Sequence, residues 1–217
     1  WMFKRHTGMD AVTYQGNSSG YGTNPMQIIP HSLNKAPELI LVKARSRTNG
    51  QSFNQPWAVY VSSQGAGKYF DGIGTGAIST GDTRFGGVEP TSTHFNVGTS
   101  ADVNGEYKNY IAFLFASVDG ISKVGSFVGS DSDQTITTGF QPRFVIIKQT
   151  SGPFASWYVF DTTRGWGSGN DNWLILDGNQ AQSSNNFGAP TSTGFTVAGN
   201  VGGINDAGFS CIYYAHA

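Results

Sequence analysis

Pro90-Thr-Ser-Thr-His-Phe-Asn-Val97 returns as Pro190-Thr-Ser-Thr-Gly-Phe-Thr-Val197, with six identities in eight positions one hundred residues later. Repetition at a fixed distance has to be settled before a fold is assigned, because it sets the architecture. Further landmarks recur in the same order. Pro37-Glu-Leu-Ile-Leu-Val-Lys43 answers Pro142-Arg-Phe-Val-Ile-Ile-Lys148, an apolar run between the same proline and the same lysine. Trp57-Ala-Val-Tyr-Val61 answers Trp157-Tyr-Val-Phe-Asp161, and Tyr110-Ile-Ala-Phe-Leu-Phe-Ala116 answers Phe209-Ser-Cys-Ile-Tyr-Tyr-Ala215. The chain therefore reads as one module of about a hundred residues used twice.

Within each module helix periodicity is almost absent. Short runs rich in Val, Ile, Phe, Tyr, Trp and Thr are cut by Gly, Asn, Asp and Ser clusters, the pattern of many short strands. Strands are expected near 11–15, 26–31, 38–44, 57–62, 67–71, 93–98 and 108–116, then near 123–128, 134–138, 143–149, 156–161, 173–176, 193–198 and 208–215. Leu39–Val42, Phe144–Ile147 and Ile111–Phe115 are apolar at every position, which suits central strands or strands covered on both faces. In 156–161, Trp157, Val159 and Asp161 share one face and Tyr158 and Phe160 the other, because side chains alternate. The expected fold is all-β: two tandem homologous antiparallel β-sandwich modules, jelly-roll-like, over residues 10–117 and 118–217. Trp1-Met-Phe3 aligns with Leu114-Phe-Ala116, so residues 1–9 are expected to be the end of a preceding module or a connector.

Composition narrows the function. Charged residues make up 12% of the chain, about half the usual share. The 15 Phe, 9 Tyr and 5 Trp supply more burial than a disordered chain could use. A formal charge of −1 without a basic block offers nothing to neutralise phosphates, so nucleic acid is not an expected partner. No run approaches the roughly 20 apolar residues of a membrane-crossing helix, so no membrane insertion is expected. One cysteine, Cys211, excludes an internal disulfide and sits in an apolar run, as a buried inert thiol would.

Reaction chemistry is hard to find. His6, His31, His94 and His216 are not spaced as metal ligands, and no phosphate loop, nucleophile elbow or cofactor signature is spelled out. No catalytic residue, metal or cofactor is expected. A glycan hydrolase would need two facing carboxyls. The eleven aspartates could supply them across loops, yet Asp71-Gly, Asp119-Gly and Asp177-Gly read more simply as turns. Ser130-Asp-Ser-Asp133 lacks the distal glutamate of an EF-hand calcium loop and reads as a polar hairpin.

The candidate recognition element is Gly165-Trp-Gly-Ser-Gly-Asn-Asp-Asn-Trp173. A sugar ring stacks on an aromatic face while amides and carboxylates bind its hydroxyls. Trp166, Asn170, Asp171, Asn172 and Trp173 could supply both. The simpler account is that Trp173 starts a strand and packs inward while Trp166 covers a loop.

With Trp1-Met-Phe-Lys-Arg-His6, Val12-Thr-Tyr-Gln-Gly16, Pro30-His-Ser-Leu33, Lys123-Val-Gly-Ser-Phe127 and Trp157-Tyr-Val-Phe-Asp-Thr-Thr-Arg-Gly165 added to these landmarks, the chain resembles a repeat family of unassigned activity. That family occurs in tail-fibre-like structural proteins of tailed bacteriophages. The resemblance covers most of both modules and implies a place on the virion, in a host-facing fibre or spike. It also implies a homotrimer, other virion proteins as neighbours, and a host-surface glycan or protein as partner. It carries no catalytic residues to transfer. The chain departs from it in a longer 48–55 stretch and a glycine-laden 72–87 loop. Two alternatives stand beside an attachment module: a polysaccharide-degrading tailspike domain, and a purely structural capsid or tail decoration.

Overall fold

The computed structural model describes residues 7–18, 26–47, 55–152, 155–167, 169–199 and 201–217. The expectations for residues 1–6, the 19–25 connection and most of the 48–55 stretch lie outside the described residues.

The chain divides into two compact units, one of residues 1–73 and 78–116, the other of residues 74–77 and 117–217. In the first unit the strands are β1 (Met9–Gln15), β2 (Gln27–Pro30), β3 (Leu39–Arg47), β4 (Ala58–Val61), β5 (Lys68–Asp71), β6 (Ser79–Thr80), β7 (His94–Val97) and β8 (Lys108–Phe115). In the second they are β9 (Ser122–Val128), β10 (Gln134–Thr137), β11 (Phe144–Gln149), β12 (Tyr158–Asp161), β13 (Asp171–Ile175), β14 (Ser183–Asn185), β15 (Pro190–Thr191), β16 (Gly194–Val197) and β17 (Ser210–His216). The one α-helix among the described residues is a single turn, α1 (Ala101–Asn104). Ser100 caps it by accepting the Asp102 amide hydrogen.

The protein is all-β and its strand pairings are antiparallel. The first large sheet runs β1-β8-β3-β4-β5-β6 and the second runs β9-β17-β11-β12-β13-β14. Each unit adds a small sheet, β2-β7 in the first and β10-β16-β15 in the second. Position for position, the strand order of the two large sheets is the same. All fourteen expected strands are present, and β3, β8 and β11 occupy central places as their unbroken apolar runs required. The 72–87 and 179–189 connections each carry a short edge strand, β6 and β14, that their polar, glycine-rich sequences did not announce. Edge strands gain their pairing from a neighbour across the sheet rather than from local propensity.

The core of the first unit joins Ile40, Val42, Tyr60, Tyr110, Ala112 and Leu114 of the large sheet to Ile29, Phe95 and Val97 of the small one. That of the second joins Val145, Ile147, Phe160, Tyr213 and Ala215 to Ile136, Phe195 and Val197. Both are sandwich-like. The expected alternation holds in β12, where Tyr158 and Phe160 pack on this core and Val159 points away from it. The second face of β8 is only half covered: Ile111, Phe113 and Phe115 are half-buried, while Tyr110, Ala112 and Leu114 between them are fully buried.

Two buried asparagines fix how the strands are joined. Asn104 donates from Nδ2 to the Gly98 carbonyl (2.9 Å) and accepts the Asn17 amide hydrogen (3.0 Å). Asn205 donates to the Ala198 carbonyl (2.8 Å) and accepts the Ser130 amide hydrogen (3.1 Å). Each thereby ties the end of the first strand of its unit to the segment leading into the last. Both are fully buried, and their bonds supply partners that water cannot.

Candidate functional site

The loop after β12 opens with a 3₁₀ turn, Thr162–Arg164, capped by Asp161 Oδ1, which accepts the Thr163 amide hydrogen at 2.7 Å. Gly165 follows at φ 104°, a left-handed conformation that suits glycine, and closes the turn. The chain then turns inward. Trp166 is 4% exposed and packs on Phe160 and Phe195, with ring centroids 5.8 and 6.2 Å apart. Its indole N–H donates to the Gly188 carbonyl at 3.0 Å. The ring is buried in the core cluster of the second unit, so Trp166 is not an exposed stacking platform.

Three of the neighbouring candidates, Asp171, Asn172 and Trp173, are also engaged within the fold. Trp173 is half-buried against Tyr158 and Phe187, at 5.4 and 5.7 Å. Asp171 is fully buried and accepts three amide hydrogens, from Gly167 (3.0 Å), Phe187 (2.9 Å) and Gly188 (3.1 Å). Such a carboxylate organises a loop, because three charge-assisted bonds satisfy it without a ligand. Asn172 donates from Nδ2 to the Arg164 carbonyl at 2.5 Å. Of the five, only Asn170 is exposed. The glycine-rich sequence left the ring directions open; the apolar pocket formed by Phe160, Phe187 and Phe195 decided them.

By tying Gly167 to Gly188, Asp171 shapes a groove of about 280 Å³ in the second unit. One part of it is lined by Asp133, Gln134 and Thr135 at β10 and by Thr196, Val197 and Ala198 at β16. Gly167, Gly169, Asn186, Gly188 and Ala189 line the rest. Apart from Asp133 this lining is uncharged. Thr135 and Asn186 present an exposed hydroxyl and amide. Asp133 Oδ1 accepts the Gly199 amide hydrogen at 2.7 Å, which holds the carboxylate at the rim. Sequence reading placed Asp133 in a polar hairpin and missed the groove. One wall comes from residues 133–135 and the others from segments more than thirty residues further along, and no local pattern announces such a meeting.

Other polar constellations serve the fold. In the first unit Arg84 Nη2 lies 2.9 Å from Asp71 and 2.5 Å from Asp102, with the guanidinium 5.3 Å from the Tyr69 ring centroid. The two carboxylates share one cation and are spent on it, unlike the acid–base pair of a glycosidase. The Tyr60 hydroxyl donates to Glu89, and burial pushes its pKa well above the usual tyrosine range. Burial likewise pushes the Cys211 thiol up to about 12, which leaves it un-ionised and unreactive. His31 donates through Nε2 to the Thr91 carbonyl and accepts the Leu33 amide hydrogen at Nδ1, and burial lowers its pKa. Among the described residues no helix is long and apolar enough to cross a membrane.

A family model described as a domain of unknown function, DUF7483, matches residues 3–217. No curated protein and no solved structure matches the chain.

Proposed function

The chain belongs to the DUF7483 family over residues 3–217, and from that premise we propose that it is a non-enzymatic attachment module of a bacteriophage virion, carried in a tail fibre or spike. Its two units are read as copies of one jelly-roll-like sandwich. The nested pairings β1–β8 and β2–β7, repeated as β9–β17 and β10–β16, support that reading. So do the matched buried asparagines. The virion assignment, the trimeric state and the host-surface partner rest on the sequence resemblance.

The observation that carries attachment is the groove beside β10 and β16. Hydroxyl and amide groups around a small concavity are what a saccharide requires for binding. The binding element thus moves from the Trp166 ring to the groove that the same loop borders. Rigid strands with ligand-facing loops are the usual division of labour in such scaffolds.

The test is incubation of the purified protein with candidate host cells and with their isolated capsule or lipopolysaccharide. Retention of the protein on cells, with the polysaccharide unshortened, is the expected result. Released oligosaccharides would replace attachment by a degrading tailspike. Absence of adsorption on every surface tested would leave a structural decoration role.

A further inference from the structure

We propose that the groove at β10 and β16 accepts a neutral saccharide residue and discriminates against acidic ones, with Asp133 as the residue that selects. The proposal rests on the attachment reading above and narrows it to a ligand class.

The first argument is a comparison of the two small sheets. Gln27 pairs with Val97 in β2–β7, and Gln134 pairs with Val197 in β10–β16, so Met26 and Asp133 hold the same place relative to their sheets. In the first unit the Met26 side chain, itself partly exposed, lies beside Gly86, so close that a Cβ on Gly86 would overlap its sulfur. In the second unit the corresponding ground, bordered by Gly188 and Thr196, is groove. A short carboxylate at position 133 leaves the space that a long thioether fills. The shorter side chain at position 133 contributes to the opening, and it is acidic.

The second argument is charge. Asp133 is the charged residue in the lining, and Asp131 stands two residues away, its Oδ1 accepting the Ala207 amide hydrogen. Among the described residues no lysine or arginine lines the groove to neutralise a bound carboxylate. A uronic or sialic acid would bring a second negative charge within a few ångströms of Asp133. At interfacial dielectric this repulsion costs about tenfold or more in affinity. A neutral sugar instead offers hydroxyl donors to a carboxylate whose second oxygen is not used by Gly199, and charge-assisted bonds of that kind are the stronger ones.

The third argument is size. About 280 Å³ lies at the lower end of ligand pockets, enough for one or two sugar rings rather than a long chain. The lining has no aromatic ring, so a single site is weak and gains strength by repetition along a fibre.

The experiment is an amide chemical-shift titration of the whole chain with methyl glucoside and methyl galactoside against glucuronate and galacturonate. The neutral sugars are expected to move the amides of Thr135, Gly167, Gly169 and Asn186, with the uronates about tenfold weaker. Asp133→Asn keeps an acceptor for the Gly199 amide and should erase most of that discrimination. Asp133→Met, which installs the residue of the first unit, should abolish binding of both classes. Uronates binding as well as neutral sugars, or an unchanged preference in Asp133→Asn, would overturn the proposal. Cell adsorption without any groove shift would also overturn it and leave attachment standing. Failure of adsorption as well would remove both.

Discussion

Asn104 and Asn205 make the same two hydrogen bonds in their respective units, each donating to the carbonyl one residue past β7 or β16 and accepting an amide hydrogen two residues past β1 or β9. The donors' own carbonyls repeat the match: Asn104 O accepts from Ser18 and Asn205 O accepts from Asp131, at 2.8 and 3.0 Å. A buried amide that bridges two connections is a polar staple, and it works only where both partners are held in place.

Asn104→Ala and Asn205→Ala are each expected to destabilise the protein by about 2–4 kcal/mol. Either change leaves an amide hydrogen and a carbonyl without a partner in a dry site. Urea unfolding of each variant measures the loss. A change below about 0.5 kcal/mol at both positions would show that water replaces the staple.

Gly16→Ala and Gly129→Ala should be comparably damaging, for steric reasons. A Cβ on Gly16 would overlap the Gly105 carbonyl oxygen and lie 2.6 Å from the Asn104 carbonyl carbon. On Gly129 it would overlap the Asp206 oxygen and lie 2.7 Å from the Asn205 carbonyl carbon. Backbone cannot step aside as a side-chain tip can, so a loss of about 1–3 kcal/mol is expected. Gly67→Ala, where a Cβ meets nothing within 4 Å, is the control and should melt within a degree or two of the parent.

Trp166→Ala removes a ring packed on Phe160 and Phe195 and the bond to the Gly188 carbonyl. The expected cost is about 3–5 kcal/mol. Thermal melting would register it before any ligand is added. A variant that melts like the parent yet loses saccharide binding would return Trp166 to the recognition surface.

Lys148 gives a pH signature. Its Nζ donates to the Ala155 carbonyl at 2.6 Å, as Lys43 Nζ does to Gln55 at 2.6 Å. Burial lowers the Lys148 pKa from 10.5 to about 8, against the opposing pull of the Asp177 carboxylate. Between these two values the unfolded chain keeps a proton that the folded state has released, so this lysine's contribution to stability rises with pH. Below about 8 its penalty is present in full. The raised Cys211 thiol acts in the opposite sense between 9.0 and about 12, so the parent curve alone is a composite. Because Lys148 and Cys211 interact, the lysine is isolated in a Cys211→Ala background. There the difference in unfolding free energy between the protein with Lys148 and its Lys148→Met variant should move in favour of the lysine from pH 8 to 10.5. A difference that stays flat across this window would mean Lys148 titrates normally.

Much of the architecture was legible because it is written locally. Alternating and unbroken apolar runs place strands, Gly and Asp clusters place turns, and the recurrence of Pro-Thr-Ser-Thr placed two stretches in the same structural role, before β7 and before β16. The unbroken runs in β3, β8 and β11 named the central strands. The edge strands β6 and β14 were not legible, since Ser-Thr and Ser-Ser-Asn pair only because a neighbour is there. Asn104 and Asn205 escaped notice too, because Asn beside Gly or Asp looks like any turn until its side chain is seen to point inward.

What the sequence determined by itself is the all-β class and the position of each principal strand, because a two-residue alternation and its interruptions are properties of neighbours in the chain. Which way Trp166 points, which asparagines are buried, and that a groove opens beside Asp133 were decided only by tertiary structure. Those outcomes depend on which distant segments come within a few ångströms of one another. Packing, rather than propensity, selects among side-chain directions that a loop sequence leaves equally open.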